Sequence, residues 1–351
     1  MIFAVRSGIG CMGILMAGLI GCSSGTGGST TAAAPNSPYA GYTQSYSVPW
    51  VGSPNFANLT STLTVQAEVN GGKTASYTVD TGSVGVVVPA SEVPNIPANS
   101  PSGSLLYTSS GLQLNGVWAT MPVSFPQAVN ASGSNVAAIS TVPVLAVTSS
   151  SCTGSGVNSG SCTGAIPHML GVGFGRGTDV YSSPPYNAFL NLAEMTAGTM
   201  VRGYIIQRTG LVLGLTTANV GSSFVEQTLV SAGTPASGTH TDWTIPAGGF
   251  KVGSSAAVSG TALVDTGLLD MIVETSGEPS SGSVASATAM TITLGTQSYS
   301  FAVSDGGAQT PTSVNWATTS HGTFVNTGLH ALGHFDLLFD ANNGLFGLRP
   351  E

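Results

Sequence analysis

The sequence predicts an all-β protein built as two lobes, and three observations carry that expectation. Short apolar runs rich in Val, Ile, Tyr and Thr recur along the chain, separated by Gly, Ser, Pro and Asn. The length of 351 residues exceeds what one core commonly holds. The tripeptide Asp-Thr-Gly occurs twice, at Asp80 and at Asp265, each time between two apolar runs.

The strand signal is clearest at Leu63-Thr64-Val65-Gln66-Ala67-Glu68-Val69, where odd positions are apolar. Further runs lie at Tyr77–Val79, Val84–Val88, Val144–Val147, Tyr204–Ile206, Leu211–Leu213, Ala262–Val264, Tyr299–Val303 and Leu337–Phe339. One helix is expected after Pro184-Pro185, with Phe189, Leu190, Leu192, Ala193 and Met195 on its apolar face. The expected organisation is a leader at 1–21, a tether at 22–45, a first lobe at 46–215 and a second at 216–351.

Composition narrows the function. Charged residues make up only 6% of the chain, yet beyond residue 22 no apolar run reaches the roughly 18 residues that span a bilayer. Fifteen acidic residues face seven basic ones with no basic cluster, which argues against nucleic-acid binding. With its carboxylates neutral, the chain would carry at most about twelve positive charges, so acid conditions are tolerable.

Arg6 precedes an apolar stretch from Ile9 to Ile20, right for a secretory signal. The ending Leu19-Ile20-Gly21-Cys22 resembles the lipobox of bacterial lipoproteins, which implies cleavage before Cys22 and a lipid on its thiol. The protein is thus expected to be exported and lipid-anchored in the cell envelope. Ser23 resembles an outer-membrane sorting signal. The Ser-, Gly- and Pro-rich residues that follow suit a flexible tether. Cys11 leaves with the leader. Cys152 and Cys162 flank a Gly/Ser-rich stretch and are expected to form a disulfide, because two thiolates alone rarely hold a metal.

The two Asp-Thr-Gly segments carry the chemistry. The first reads Tyr77-Thr78-Val79-Asp80-Thr81-Gly82-Ser83, then Val86-Val87-Val88. The second reads Ala262-Leu263-Val264-Asp265-Thr266-Gly267, then Met271-Ile272-Val273. Two turns in a Gly-rich chain would be the bland account. Two carboxylates held together, however, cannot both ionise, and a pair sharing one proton can activate a water and protonate a leaving group. The aspartic proteases are the general example of such a pair.

These segments resemble the pepsin-like aspartic peptidases, and the resemblance runs from about residue 45 to 351. Met169-Leu170-Gly171-Val172-Gly173 resembles the family's hydrophobic-hydrophobic-Gly segment beneath the first catalytic loop. Leu211-Val212-Leu213-Gly214 resembles the strand leading to the second lobe, and Phe339-Asp340-Ala341-Asn342-Asn343-Gly344-Leu345-Phe346-Gly347-Leu348 is similar to the C-terminal strand and turn. The resemblance implies a two-lobed fold with a cleft between lobes and an aspartic-type endopeptidase acting on peptide or protein substrates. It implies Asp80 and Asp265 as the dyad, with Gly82 and Gly267 in the same motifs. Thr81 and Thr266 would form an interlobe grip, and Ser83 a hydroxyl partner of Asp80. Tyr107, before Thr108-Ser109-Ser110-Gly111, would be the flap tyrosine. It implies no cofactor and no metal, and no dimer is needed, so a monomer is expected.

Departures from the family pattern matter. Leu268 stands where a Ser or Thr usually follows the second motif. With no hydroxyl there, Asp265 is expected to carry the shared proton and Asp80, aided by Ser83, the charge. The second hydrophobic-hydrophobic-Gly segment is matched only weakly, by Ala331-Leu332-Gly333, and the aromatic usual after the first motif is missing from Val86-Val87-Val88. These gaps keep open a weak or inactive protein that binds peptides or an envelope partner. A plain β-rich structural lipoprotein would require both motifs to be accidents. His330 and His334 are expected as a surface pair rather than metal ligands, Asp270 and Glu274 as a solvated loop, and the glycines from Gly171 to Gly177 as turn residues. Trp118, Trp243 and Trp316 read as packing residues.

Overall fold

The computed structural model describes residues 37–176, 183–235, 240–318 and 322–351. Leader, lipidation site Cys22 and Gly177 lie outside them. Among the described residues, three seven-stranded sheets and one two-stranded sheet are formed. The first runs in the order Thr64–Val69, Ala75–Asp80, Met169–Val172, Val84–Pro89, Ala138–Cys152, Leu112–Phe125 and Ser102–Tyr107. The second runs Gln297–Ala302, Ala289–Leu294, Ala247–Val252, Val258–Leu263, Phe324–Asn326, Met271–Glu274 and Val314–Trp316. Each is the sheet of one lobe.

The third sheet mixes both halves of the sequence. Its order is Val225–Thr228, Leu345–Pro350, Phe335–Asp340, Val201–Gln207, Gly210–Leu215, Tyr46–Val48 and Val129–Asn130. The seam is antiparallel, with Tyr204 opposite Phe339 and Ile206 opposite Leu337. Phe174 from the first half stacks on Phe339 with ring centroids 3.9 Å apart, and the Tyr204 hydroxyl donates to the Val172 carbonyl at 2.8 Å. One apolar cluster therefore runs from Val65 through Tyr204 and Phe339 to Ile292.

Alternation accounts for the outer strands and continuous apolar runs for the inner ones. Val65, Ala67 and Val69 are buried on one face of Thr64–Val69. Val84–Pro89 sits fourth in its sheet, and Val86, Val87 and Val88 are all buried, so both faces are covered. Tyr39, in the stretch read as tether, is buried, and its hydroxyl donates to Asp340 Oδ2 at 2.9 Å. Among the described residues, no helix is long and apolar enough to cross a membrane.

Several local expectations are corrected. The single helix after Pro184 is two separate turns, Ser183–Tyr186 and Ala193–Thr196. Asn187 breaks it: its side chain accepts from the Phe189 N–H and donates to the Val172 carbonyl, competing with the helical ladder. His330 is buried in the 3₁₀ turn Leu329–Gly333 rather than exposed. Glu274 is likewise buried, at the end of a strand, not in a solvated loop. No group of three or more metal-binding side chains occurs among the described residues.

Candidate active site

Each Asp-Thr-Gly loop links two strands that embrace a third. In the first lobe Ala75–Asp80 pairs in parallel with Met169–Val172, placing Asp80 opposite Gly171, and Val84–Pro89 pairs with the other edge of that strand. In the second lobe Phe324–Asn326 takes the central place. It runs parallel to Val258–Leu263, with Leu263 opposite Asn326, and antiparallel to Met271–Glu274. Continuing that register brings Gly328 opposite Asp265, as Gly171 is opposite Asp80. The counterpart of Met169-Leu170-Gly171 is therefore Asn326-Thr327-Gly328. Ala331-Leu332-Gly333, the segment picked from the sequence, is the 3₁₀ turn that follows.

The glycines are explained by close approach. A Cβ on Gly171 would lie 2.6 Å from the Val84 carbonyl carbon, and one on Gly328 would lie 2.5 Å from the Asp270 carbonyl oxygen. Backbone passes directly beneath each loop and leaves no room for a side chain. Gly173 is excluded from larger residues in the same way by the Thr81 carbonyl, at 2.5 Å. For Gly171 and Gly173 close approach thus replaces turn flexibility as the reason, whereas Gly175 has a φ of +66°, as a turn glycine does.

The two loops meet face to face across the lobes. Thr81 and Thr266 lock them: the Thr81 N–H donates to Thr266 Oγ1 at 3.1 Å, and the Thr266 N–H donates to Thr81 Oγ1 at 3.0 Å. Each hydroxyl also donates to a carbonyl of the opposite lobe, Thr266 to Val79 at 2.6 Å and Thr81 to Val264. Both threonines are buried.

This lock sets Asp80 against Asp265. The inner oxygens accept from the loops' own backbone, Asp80 Oδ1 from Gly82 N–H at 2.7 Å and Asp265 Oδ1 from Gly267 N–H at 3.0 Å. Each outer oxygen takes one side-chain donor. Ser83 Oγ donates to Asp80 Oδ2. Asn326 Nδ2 donates to Asp265 Oδ2 at 2.7 Å. Asn326 was not singled out in the sequence, because it lies 61 residues from Asp265 and belongs to no motif.

Burial, followed by the neighbouring Asp265 charge, pushes the Asp80 carboxyl up to about 8, although Ser83 and the Gly82 N–H pull the other way. Below that value the pair retains one shared proton. Leu268 lacks a hydroxyl, but the Asn326 amide supplies a donor to Asp265 in its place.

Tyr107 ends the strand Ser102–Tyr107 of a hairpin whose second strand begins at Leu112. Its hydroxyl is buried beside Ser83 and Asp80, and burial with the Asp80 charge holds its pKa above the usual range. The hairpin is not free at its tip. Ala138–Cys152 runs alongside it as far as the Leu112–Cys152 pair. The Cys152–Cys162 disulfide closes a loop that grips the tip. In that grip Thr153 N–H donates to the Gly111 carbonyl at 2.9 Å, and Asn158 N–H to the Ser109 carbonyl at 2.7 Å. Trp118 lies 7% exposed between this hairpin and the first loop, 3.3 Å from where a Gly85 Cβ would be, and edge-on to Tyr186. An aromatic ring from another strand thus packs next to the first motif. His330, His334 and Asp336 do not converge: Nδ1 of His330 faces the Ala308 carbonyl, His334 packs edge-on against Phe335, and Asp336 pairs with Arg349.

No family model matches the sequence, and no curated protein sequence matches it. The structure does match solved ones. The crystal structure of an aspartic proteinase from Irpex lacteus aligns with a TM-score of 0.52 at 16% identity, covering 87% of this chain and 97% of that one. At that identity the likeness speaks for the fold. The mostly β, two-lobed architecture with a few short helices is the fold of the pepsin-like aspartic proteinases.

Proposed function

We propose that the protein is an aspartic-type endopeptidase that hydrolyses peptide bonds through a water held between Asp80 and Asp265. The observation that carries this reading is the facing of two buried carboxyls from opposite lobes, one of them pushed up to about 8 by burial and by the other's charge. In such a pair the ionised carboxylate takes a proton from the attacking water. The protonated member gives its proton to the carbonyl oxygen of the scissile bond. Collapse of the tetrahedral species then needs a proton on the leaving nitrogen, which the dyad again supplies. The Tyr107 hydroxyl, buried beside Ser83 and Asp80, suits the flap role that the resemblance gives it.

The working range is that in which one proton per pair is retained, which takes in acid pH and extends up to about 8. By the resemblance at its N-terminus the chain is exported and held in the outer membrane of a bacterial envelope by lipid on Cys22. The full chain, purified in detergent, is expected to cleave a denatured protein at acid pH and to be blocked by a statine-type transition-state mimic. Asp80→Asn and Asp265→Asn should each abolish cleavage. Cys22→Ser should release the protein from membranes. A folded wild type that is inert from pH 2 to 7 would sink the peptidase reading and leave a peptide-binding lipoprotein of the same fold. The main sequence feature favouring that alternative, Leu268, is offset by the Asn326 donor.

A further inference from the structure

The two lobes share a backbone plan but place one functional group differently. In the first lobe Ser83, three residues after Asp80, donates to Asp80 Oδ2, and the apolar Met169 lies opposite Thr78 in the parallel neighbour. In the second lobe the apolar Leu268 stands three residues after Asp265. Asn326 lies opposite Leu263, two residues before Asp265, as Thr78 lies two before Asp80. The polar and apolar residues have exchanged positions between the lobes, and each outer carboxylate oxygen still receives one side-chain donor.

We propose that Asn326 is the positioning residue of the second carboxyl, donating to Asp265 in place of a hydroxyl at position 268. Four observations support this. Leu263 and Asp265 share a strand face, and a residue opposite Leu263 in a parallel neighbour projects on that face. Asn326 Oδ1 accepts from the Gly328 N–H at 3.0 Å, which leaves only the NH₂ end of the amide to face Asp265. An amide nitrogen donates and does not accept, so it favours the carboxylate over the acid, whereas a serine hydroxyl serves either form. The side chain is 7% exposed and sits at the end of a strand packed beneath the loop, so water does not replace it. The titratable groups around the contact are Asp80 across the lobes, Tyr107 beside Asp80, and Asp270 in the 268–271 loop with His330 next to it.

As far as turnover is concerned, this inference rests on the peptidase reading, so its primary test does not use turnover. The full chain, labelled with ¹³C at Asp carboxyls, is titrated by NMR, and the Asp265 signal is assigned with Asp265→Asn. Asn326→Leu is expected to raise the Asp265 midpoint by about one pH unit. Adding Leu268→Ser to that variant is expected to bring the midpoint back. In cleavage assays the acid limb should move with the midpoint, with kcat down roughly 10-fold or more and KM little changed. Asn326→Ala serves if the leucine variant does not fold. An unchanged Asp265 midpoint in a folded variant overturns the proposal. So does a lowered melting temperature whose serine double variant recovers stability but not the midpoint, since that marks a purely structural asparagine. If wild type shows no cleavage, the peptidase reading fails and the NMR midpoint alone decides the role of Asn326.

Discussion

A Cβ on Gly82 would stand 2.3 Å from the carboxyl carbon of Asp265, and a Cβ on Gly267 would stand 2.4 Å from that of Asp80. Each carboxyl therefore rests on the glycine of the opposite lobe. Gly82→Ala cannot be absorbed by a rotamer change, because the obstacle is the reacting group itself. The expected result is a loss of roughly 100-fold or more in kcat/KM, in keeping with the cost of a misplacement of about 1 Å. A peptide-cleavage assay on the folded variant checks it, and near-normal activity would refute the face-to-face packing.

The threonine grip predicts a stability effect in both lobes at once. Thr81→Val keeps the shape but leaves the buried Thr266 N–H and Val264 carbonyl without their partner. Thr266→Val does the same to the Thr81 N–H and Val79 carbonyl. Each orphaned group costs about 1–3 kcal/mol, so each variant should lose about 2–5 kcal/mol in denaturant unfolding. Because both residues belong to one network, the loss in the double variant should depart from the sum of the two single losses by about 0.5 kcal/mol or more. Strict additivity would count against the network.

Dyad burial also sets a pH dependence of stability. The unfolded Asp80 ionises near 3.8, whereas the folded one is pushed up to about 8. Between these values the folded protein keeps a proton the unfolded chain has lost, so stability falls as pH rises through the window and levels off above it. Asp336, pushed up to about 6 chiefly by burial, adds to this in the lower part. His240 and His330, both held low by burial, act in the opposite sense up to about pH 6.5. The interval from 6.5 to 8 therefore belongs to the dyad. The wild-type melting temperature should drop there, and that of Asp80→Asn should stay nearly flat. Equal slopes in the two proteins would show that Asp80 keeps no proton.

The clasped hairpin tip makes a further testable point. Replacing Cys152 and Cys162 by Ser removes the closure across ten residues, worth up to about 3 kcal/mol in chain entropy. Hydrogen exchange should then accelerate at the amides of Gly111, Thr153 and Asn158, which bond across the tip, while the buried amides of Val84–Pro89 stay protected. Unchanged protection at those three tip amides would mean that strand pairing alone holds the hairpin.

Much of this was legible in the sequence for definite reasons. Alternation at Val65, Ala67 and Val69 marks a half-covered strand, and the repeated tripeptide marks two equivalent loops. Asn326 was not legible, since its role depends on a parallel pairing between Val258–Leu263 and Phe324–Asn326 that no local pattern announces. The same gap hides Asn326-Thr327-Gly328 behind Ala331-Leu332-Gly333, because the family pattern is apolar where this segment is polar. His330 and Glu274 were misplaced because spacing and charge suggest exposure, whereas packing of the neighbouring strands decides it. The interrupted helix after Pro184 turned on one asparagine whose side chain outbids the helical pattern.

The mixed sheet bears on how such a chain comes into being. Phe335–Asp340 lies between Val201–Gln207 and Leu345–Pro350, so strands made last hydrogen-bond to one made long before. A nascent chain leaving a ribosome or an export channel N-terminus first has both Asp-Thr-Gly motifs outside while this sheet still lacks two of its inner strands. Domains assembled from such distant segments close late and slowly. The two carboxyls are thus brought to bear on each other only near the end of biosynthesis, and a molecule cut short before residue 335 would carry every signature of the site without a site.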